Sequence, residues 1–337
     1  MFAGIDTIEY SLPEAILTNE ALSSDFPEWP VEKIRSKTGI DSRHIASDGE
    51  CASDLGVDAA NHLFESGSVR REDIDFILFC TQSPDYFLPT TACLIQDRLN
   101  IPTSAGALDF NLGCSGFVYG LGLAKGLIES GQARNLLLIT AETYSKHINP
   151  RDKSVRTIFG DAAAATYIKA ISEGKERIGA PVFGSDGSGA NNLIVPVGGM
   201  RQRYKTDADH EIKDDNLNTR SASDLFMNGS EIFAFTLNRI PASIEKALER
   251  ASMSLENIDL FVFHQANSFM LEHLRKKCSI PDSKYFIAMS DIGNTVSSTI
   301  PIALKRAQER GVLRRGMKVM ISGFGVGYSW ATCIIEW

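Results

Sequence analysis

The sequence predicts an α/β protein in which helices cover the faces of the sheets and two similar halves repeat one unit. Short apolar runs typical of buried strands alternate with runs compatible with helices, as in proteins with covered sheets. Four of these runs are residues 136–141, 240–251, 301–310 and 318–322. Residues 72–83 and 256–267 supply the second observation, since each reads as a helix end, a turn and a buried strand that opens into a polar loop.

A second pair of segments supports the same internal repeat. Residues 158–162 resemble residues 322–326, and a strand-like run follows each of them. Two copies of one α/β unit would explain both pairs, and the polar run of residues 169–177 marks the predicted break between the copies. The two predicted halves are residues 1–170 and 171–337.

Composition excludes several functional classes. The chain has 337 residues, of which 43% are hydrophobic and 23% charged, as expected for a globular protein with one large domain or two medium ones. No apolar run approaches the length of a membrane span, and the N-terminal residues do not resemble a signal peptide, so we expect a cytoplasmic protein without a membrane partner. The formal net charge of -8 argues against nucleic acid as the main partner.

Cys114 carries the strongest chemical signal in the sequence. An apolar, strand-like run of residues 106–112 ends at a Gly-Cys-Ser-Gly turn, and a run of small residues compatible with a helix follows. The N–H groups and the dipole at a helix N-terminus favour a thiolate, so we expect Cys114 to be a nucleophile. The other five cysteines lack the paired spacing of a metal site, and we expect ordinary thiols and no bound metal.

Two later segments give Cys114 its context. His264 begins a His-Gln-Ala-Asn segment after an apolar strand-like run, and Asn294 lies in a Gly-Asn-Thr loop. Cys, His and Asn in this order are the parts of a thiol-based acyl-transfer site. Each residue alone has a structural explanation, since isolated histidines are more often structural and asparagine beside glycine is common in turns. We expect the other five histidines to be structural.

Together these segments resemble ketoacyl-acyl-carrier-protein synthase III, the initiating condensing enzyme of the thiolase superfamily. The matching segments are residues 111–120, 159–161, 264–267, 293–295 and 323–330, and the resemblance extends along nearly the whole chain. It implies a thiolase-like fold, in which two similar α/β halves form a layered αβαβα sandwich. Cys114 would come from the first half and His264 and Asn294 from the second, so that the site lies between the halves.

The resemblance implies an acyltransferase with a defined reaction. An acyl primer held as a thioester on Cys114 would undergo decarboxylative Claisen condensation with malonyl-acyl-carrier protein, and the 3-oxoacyl product would initiate fatty-acid or related acyl-chain synthesis. His264 Nε2 and the side-chain N–H of Asn294 would donate to the enolate oxygen without changing protonation. Backbone N–H groups of Cys114 and Val326 would bind the oxyanion, although similar enzymes often carry glycine at the position of Val326.

The resemblance also implies an acyl pocket and a homodimer. Leu88 matches a position that reaches across the dimer interface to form the floor of the acyl pocket, and Phe324 is expected to pack beside the site. A phenylalanine at the position of Leu88 restricts primers to very short chains, and leucine is smaller. We therefore expect medium or branched acyl primers.

Coenzyme A binding departs from the pattern of similar enzymes, and no cofactor is expected beyond acyl thioesters of coenzyme A or a carrier protein. The candidate coenzyme A contacts are Lys37, Arg151, Lys153 and Asn267. Lys33 and Lys153 replace the Trp and Arg that would sandwich the adenine, and lysine lacks a flat face for stacking. Phe269 replaces a usual Arg. The sequence therefore favours a primer delivered on a carrier protein, or one bound in a shifted pose.

A basic cluster and a polar segment have candidate roles in substrate delivery. Arg275, Lys276 and Lys277 lie on a predicted short helix, where similar enzymes dock acyl carrier protein. Such a basic patch would let an acidic carrier approach an acidic enzyme. Residues 198–223 are polar and rich in charge, and a role in substrate access and a plain surface insertion both remain open.

Two other functions stay open beside the condensing enzyme. A priming synthase or acyltransferase of a specialised polyketide- or quinolone-like pathway would use the same three residues, with Gln82, Asp85 and Tyr86 near the pocket mouth serving a different acceptor. A non-catalytic interaction partner would keep the fold without needing the thiol. A thiolase would need a second cysteine within residues 323–327, and a hydroxymethylglutaryl-type synthase would need a glutamate after the 76–80 strand. The sequence has neither.

Overall fold

The computed structural model describes residues 1–172 and 174–337, and its secondary structure follows the alternation seen in the sequence. The helices are α1 (Asn19–Asp25), α2 (Val31–Thr38), α3 (Ala52–Glu65), α4 (Thr91–Arg98), α5 (Gly116–Glu129), α6 (Lys153–Arg156), α7 (Gly229–Ala251), α8 (Ser268–Lys277) and α9 (Thr299–Glu309). The strands are β1 (Phe2–Ser11), β2 (Ala15–Thr18), β3 (Ser42–Ile45), β4 (Phe76–Cys80), β5 (Gly106–Phe110), β6 (Asn135–Glu142), β7 (Ala162–Ile171), β8 (Val182–Ser185), β9 (Leu193–Ile194), β10 (Ile212–Lys213), β11 (Thr219–Arg220), β12 (Phe226–Met227), β13 (Leu260–Phe263), β14 (Lys318–Gly325) and β15 (Ser329–Glu336).

Two sheets form the framework of the protein. The first has the order β1-β7-β6-β4-β5, in which β4 runs parallel to β5 and β6 and β7 runs antiparallel to its neighbours. The second has the order β13-β14-β15-β8, with β13 parallel to β14 and β15 antiparallel to both neighbours. All strands of the first sheet precede residue 172 and all strands of the second follow residue 181. The predicted boundary at residue 170 itself stays a prediction.

The helices complete the predicted αβαβα sandwich. α5 and α9 lie between the sheets, where α5 contacts β1, β4 and β6 on one side and β14 and β15 on the other. α3 and α4 pack on the first sheet, and α7 packs on the second and against α8. Because α5 is enclosed, Phe117, Val118 and Leu121 are all fully buried around its circumference. The predicted fold class is therefore confirmed.

One of the two predicted segment pairs is confirmed by the structure. A 3-10 turn precedes a buried strand in both copies, at Arg71–Asp73 before β4 and at Leu255–Asn257 before β13. Both strands then open into loops that carry polar residues, as the pattern of the sequence predicted.

The other predicted pair is wrong. Residues 158–160 form a loop after α6, whereas residues 322–325 are the end of strand β14, so the strand pair that corresponds to β14 and β15 is β6 and β7. The shared Phe-Gly dipeptide has a local cause instead. A Cβ on Gly160 would meet the Ile292 carbonyl, and a Cβ on Gly325 would meet the Cys114 sulfur, so each place needs glycine for close approach.

Residues 198–223 form a folded excursion with its own small hairpin. β10 pairs with β11 inside the segment, and β9 pairs with β12 on either side of it. The Thr219 N–H donates to the Arg151 carbonyl at 3.1 Å, and Arg220 pairs with Asp152 at 2.8 Å. The excursion therefore folds back on the region of the predicted coenzyme A contacts.

Within the described residues, no helix is both long and apolar enough to cross a membrane. No cluster of His, Cys, Asp and Glu in the same part of the chain is arranged to hold a metal ion. The six cysteines are free thiols.

Candidate active site

Cys114 lies in the turn that joins β5 to α5. Ser115 is the N-cap of α5, and Cys114 is only 5% exposed. Strand β14 crosses directly over this turn, because a Cβ on Gly323 would lie 2.6 Å from the Cys114 carbonyl oxygen and a Cβ on Gly325 would lie 2.9 Å from Cys114 Sγ. Glycine at both positions lets the second half of the chain approach the nucleophile closely.

The charge state of Cys114 differs from the expectation for a helix N-terminus. Burial, followed by the charge of Glu142, raises the pKa of the Cys114 thiol to about 12. Backbone hydrogen bonds at Cys114 and Val326 act in the opposite direction without reversing this effect. The expected resting thiolate is therefore wrong, because loss of water from a buried sulfur outweighs the favourable helix end. The same hydrogen bonds put both predicted oxyanion donors, the N–H groups of Cys114 and Val326, beside the sulfur.

His264 follows β13 and packs beneath β14. Its N–H donates to the Ser322 carbonyl at 2.8 Å, and its ring meets the Phe324 ring edge-on with 5.6 Å between centroids. Ring atom Nδ1 lies 2.8 Å from Thr299 Oγ1. Burial lowers the pKa of His264 to about 3, and a hydrogen bond to the Val296 backbone opposes this effect only in part. The ring is therefore neutral at physiological pH.

Asn294 is fixed by its backbone and by its own side chain. Its N–H donates to the Ile158 carbonyl at 2.9 Å, and its carbonyl accepts from the Gly160 N–H at 3.0 Å. The Val296 N–H donates to Asn294 Oδ1 at 2.9 Å. Because Oδ1 is occupied in this way, the amide hydrogens on Nδ2 face the other side, as a hydrogen-bond donor to a substrate requires.

Val296 connects the histidine and the asparagine through a strained backbone. Its φ of 53° lies in the left-handed region, which is unfavourable for a β-branched residue and costs about 1–3 kcal/mol. Its N–H holds Asn294, and its carbonyl accepts from the Thr299 hydroxyl at 3.0 Å. Strain of this kind persists where the surrounding structure enforces it, so we regard the turn as part of the site.

A chain of contacts brings the three predicted residues together. Gly325 touches Cys114, the neighbouring Phe324 packs on His264, and the Thr299–Val296 turn joins His264 to Asn294. The predicted meeting of both halves at one site is thus seen in the structure. The catalytic roles of the three residues stay predictions.

Glu142 is a buried carboxyl that the sequence prediction missed. It ends β6, is fully buried, and accepts from the Gln82 N–H at 3.0 Å and from the Ser83 and Ser297 hydroxyls at 3.2 Å each. Burial raises the pKa of Glu142 to about 8 despite these donors. A charged residue at the end of an apolar run was the available signal, since glutamate is seldom fully buried without a partner.

A cavity of about 970 Å³ opens beside the nucleophile. Val326 and Asn111 line it near the Cys114 turn, and Gln82, Asp85 and Tyr86 line it as the sequence predicted. Tyr144 and His147 also line this cavity, and the Tyr144 hydroxyl donates to Gln82 Oε1 at 2.6 Å. The expectation that His147 is merely structural is therefore incomplete, because the residue forms part of the cavity wall.

The two predicted acyl-pocket residues lie in different environments. Leu88 is 83% exposed at the tip of the loop after β4, outside the residues that line this cavity, so the single chain gives it no contact with its own site. A role in a partner's pocket stays a prediction. Phe324 is 1% exposed and supports the His264 ring.

Two of the predicted coenzyme A contacts are engaged within the protein. Lys153 is 4% exposed, with Nζ 3.1 Å from Glu28 and donating to the Asn216 carbonyl at 2.5 Å. Arg151 forms an ion pair with Glu211. Both partners on the excursion come from residues 198–223, which explains why the sequence could not reveal them. Lys153 as a coenzyme A contact is contradicted in this conformation, since its charge is buried and already satisfied.

The other two candidates differ from each other. Lys37 is exposed in the last turn of α2, where a substrate phosphate could reach it. Asn267 is the N-cap of α8, and its Oδ1 accepts from the Met270 N–H at 2.8 Å. This capping role accounts for Asn267 structurally, and its contact with coenzyme A stays a prediction.

The predicted docking cluster is smaller than the sequence suggested. Arg275 donates to both carboxylate oxygens of Glu272, at 2.8 and 2.7 Å, and to the Ile280 carbonyl at 2.9 Å. Its side chain is 15% exposed, so it stabilises the end of α8 and is wrong as a docking residue. Lys276 and Lys277 are exposed in the same turn and keep the predicted basic surface.

Comparisons with known proteins identify the family. Two family models match, "3-Oxoacyl-[acyl-carrier-protein (ACP)] synthase III" over residues 108–187 and the C-terminal model of the same name over residues 248–337. A beta-ketoacyl-[acyl-carrier-protein] synthase III of Caldanaerobacter subterraneus is 36% identical over 99% of this chain and 98% of its own length. The chain belongs to the 3-oxoacyl-[acyl-carrier-protein] synthase III family.

Solved structures of this family have the same fold. A crystal structure of a 3-oxoacyl-(acyl-carrier-protein) synthase III is 53% identical and superposes with a TM-score of 0.99 over 100% of both chains. A synthase of this type from Burkholderia xenovorans is 35% identical, with a TM-score of 0.91 over 100% of this chain and 94% of its own. A priming beta-ketosynthase of a polyketide biosynthetic pathway is 26% identical, with a TM-score of 0.85 over 99% and 96%. The thiolase-like resemblance inferred from the sequence is thereby confirmed.

Proposed function

We propose that this family member catalyses decarboxylative Claisen condensation of an acyl primer with malonyl-acyl-carrier protein, the step that initiates fatty-acid or related acyl-chain synthesis. The observation that carries the proposal is the close approach of β14 to Cys114, with His264 and Asn294 joined to the same site through one turn. Family membership supports the reaction, and the arrangement of donors around a buried thiol supports the roles below.

Acylation of Cys114 is the first half-reaction. The sulfur attacks the carbonyl carbon of the primer thioester, and the C–S bond to the leaving thiol breaks. Because burial raises the pKa of the Cys114 thiol to about 12, its proton must leave as the new bond forms, and the departing thiolate accepts it. The N–H groups of Cys114 and Val326, which lie beside the sulfur, suit the oxyanion of the tetrahedral intermediate.

Decarboxylation and condensation form the second half-reaction. The malonyl carboxylate leaves as carbon dioxide, and the electrons of the broken C–C bond form an enolate on the thioester. His264 Nε2–H and Asn294 Nδ2–H donate to its oxygen. The carbanion attacks the acyl carbonyl on Cys114, the sulfur departs, and a proton from solvent restores the thiol.

Carrier protein is the proposed source of both substrates. Lysine at position 153 is buried against Glu28 and does not offer its charge to a phosphate, which weakens the usual grip on coenzyme A. Lys276 and Lys277 offer an exposed positive surface in the last turn of α8 to an acidic carrier. Equal acylation rates from one acyl group on coenzyme A and on carrier protein would count against this preference.

A cytoplasmic homodimer is the proposed assembly. β5 is an edge strand of the first sheet with Leu108 46% exposed, and Tyr86, Phe87 and Leu88 are 62%, 69% and 83% exposed on the loop after β4. An exposed apolar edge is a ready surface for strand pairing with a second copy. Six free thiols suit a reducing compartment.

A priming synthase of a specialised pathway remains the second candidate. The polyketide priming ketosynthase supports it by its similarity, and the cavity of about 970 Å³ leaves room for larger acyl groups. Measured product formation separates the two candidates. With malonyl-acyl-carrier protein and a panel of acyl thioesters, we expect carbon dioxide release and a carrier mass that matches the 3-oxoacyl product. Cys114→Ala should give no product. An acyl group transferred to another acceptor without carbon dioxide release would contradict the condensing function.

A further inference from the structure

The hydroxyl of Thr299 lies between the His264 ring and the carbonyl of Val296. Its Oγ1 is 2.8 Å from His264 Nδ1 and 3.0 Å from Val296 O, and all three residues are buried. A hydroxyl has one hydrogen, so Thr299 donates either to the ring nitrogen or to the carbonyl. The direction of this hydrogen bond decides which nitrogen of the neutral ring carries its single proton.

The condensing reaction needs that proton on Nε2. Burial keeps His264 uncharged by lowering its pKa to about 3, so a ring that donates to an enolate from Nε2 must accept a hydrogen bond at Nδ1. The Val296 carbonyl can only accept, and it would hold the proton on the nitrogen that faces it. The Thr299 hydroxyl is the group at this position that can donate to Nδ1.

We propose that Thr299 is a positioning residue whose hydroxyl donates to His264 Nδ1 and thereby holds the ring as the Nε2–H tautomer required for decarboxylation. The inference rests on the proposed function, because only the second half-reaction uses an Nε2–H donor. In that step Nε2–H donates a hydrogen bond to the enolate oxygen and keeps its proton. Acylation of Cys114 proceeds without this donor.

The backbone of the turn supports a positioning role. Val296 is held at a φ of 53°, which is unfavourable for valine. In this conformation its N–H meets Asn294 Oδ1 and its carbonyl meets Thr299 Oγ1, so one turn orients both proposed enolate donors. Thr299 is the first residue of α9, whose helix anchors the hydroxyl in the layer between the two sheets.

Thr299→Val tests the inference because valine keeps the shape of threonine and removes the hydroxyl. Nδ1 then faces the Val296 carbonyl, which favours Nδ1–H and leaves Nε2 without a proton. We expect decarboxylation of malonyl-acyl-carrier protein to fall on the order of 10²-fold, as for loss of one preorganised donor. Acylation of Cys114 by acyl-coenzyme A, followed by intact-protein mass, should change little. Thr299→Ser restores a hydroxyl and should retain both half-reactions.

A matched control and a direct measurement complete the test. Thr166 is buried in β7, and its hydroxyl has no hydrogen-bond partner among the described residues, so Thr166→Val should leave both rates unchanged. Nitrogen-15 NMR should report Nε2–H for His264 in the wild-type protein and Nδ1–H in Thr299→Val.

Three results would overturn the role of Thr299. They are an Nδ1–H ring in the wild-type protein, equal losses of acylation and decarboxylation in Thr299→Val, and full decarboxylation by that variant. A wild-type protein with neither half-reaction would count against the proposed function instead, and the tautomer measured by NMR would still decide the role of Thr299. If Thr299→Val fails to fold, Thr299→Ser and the wild-type spectrum carry the test.

Discussion

Replacing Glu142 by glutamine should change how the stability of the protein depends on pH. Burial raises the pKa of this carboxyl from its ordinary value of 4.5 to about 8 in the folded protein. The folded state therefore holds its proton more tightly than the unfolded chain does between these two values. Its contribution is fully present below pH 4.5 and is lost progressively as the pH rises to about 8.

The size of the effect follows from the same two values. The difference between 4.5 and about 8, at about 1.4 kcal/mol for each pKa unit, corresponds to a loss of about 5 kcal/mol of unfolding free energy in the wild-type protein. Glu142→Gln keeps the shape of the side chain and removes the titration. The difference in unfolding free energy between wild type and variant should therefore fall steeply from pH 4.5 to 8.

Urea unfolding of both proteins across this pH range measures the difference directly. Glu65→Gln, at an exposed position in the last turn of α3, is the matched control and should follow the wild-type curve. A difference between wild type and Glu142→Gln that stays constant within about 1 kcal/mol would refute the reasoning. It would mean that the donors Gln82, Ser83 and Ser297 stabilise the carboxylate enough to cancel the cost of burial.

Three other substitutions test separate parts of the site. Gly325→Ala puts a Cβ within 2.9 Å of the nucleophile's sulfur, so acylation should slow on the order of 10²-fold while circular dichroism stays unchanged; a normal rate would contradict the close approach. Reversing the charge of Lys276 and Lys277 should raise the KM for malonyl-acyl-carrier protein about tenfold, whereas Lys246→Glu on exposed α7 should not. Leu88→Phe should lower kcat/KM for a branched primer about tenfold relative to acetyl, and an unchanged ratio would exclude Leu88 from the pocket of a partner.

The identity of the nucleophile and its partners could be predicted because the signals are local. Cys114 follows a strand and precedes a helix of small residues, and His264 ends an apolar strand, so their positions are readable from short segments. Asn294 needed the other two for its assignment. The layered fold also follows from local patterns, since alternating strands and helices leave few ways to bury both faces of two sheets.

The electrostatic state of the site could not be predicted from the same segments. The thiol of Cys114 is desolvated by β14 and faces the charge of Glu142, and both come from elements far along the chain. A helix N-terminus alone therefore gave the wrong ionisation state. Val296 shows the same limit, because nothing in a Gly-Asn-Thr-Val segment indicates that the valine adopts a φ of 53°.

The surface cations divide into a predictable case and an unpredictable one. Arg275 lies three residues after Glu272, so the ion pair within α8 was visible in the spacing of the sequence. Lys153 pairs with Glu28 and the Asn216 carbonyl, which only the folded excursion brings near. Its burial is a tertiary effect that no local pattern reports.

Covalent acylation of Cys114 is the claim on which the whole account depends. The measurement is the intact mass of the protein after mixing with acyl-coenzyme A and acyl-carrier thioesters, with peptide mapping of the modified residue and Cys114→Ala in parallel. The account predicts one added acyl group, located on Cys114, absent in the variant and discharged by malonyl-acyl-carrier protein. A protein that gains no mass from any donor, or gains it equally in Cys114→Ala, would contradict the account.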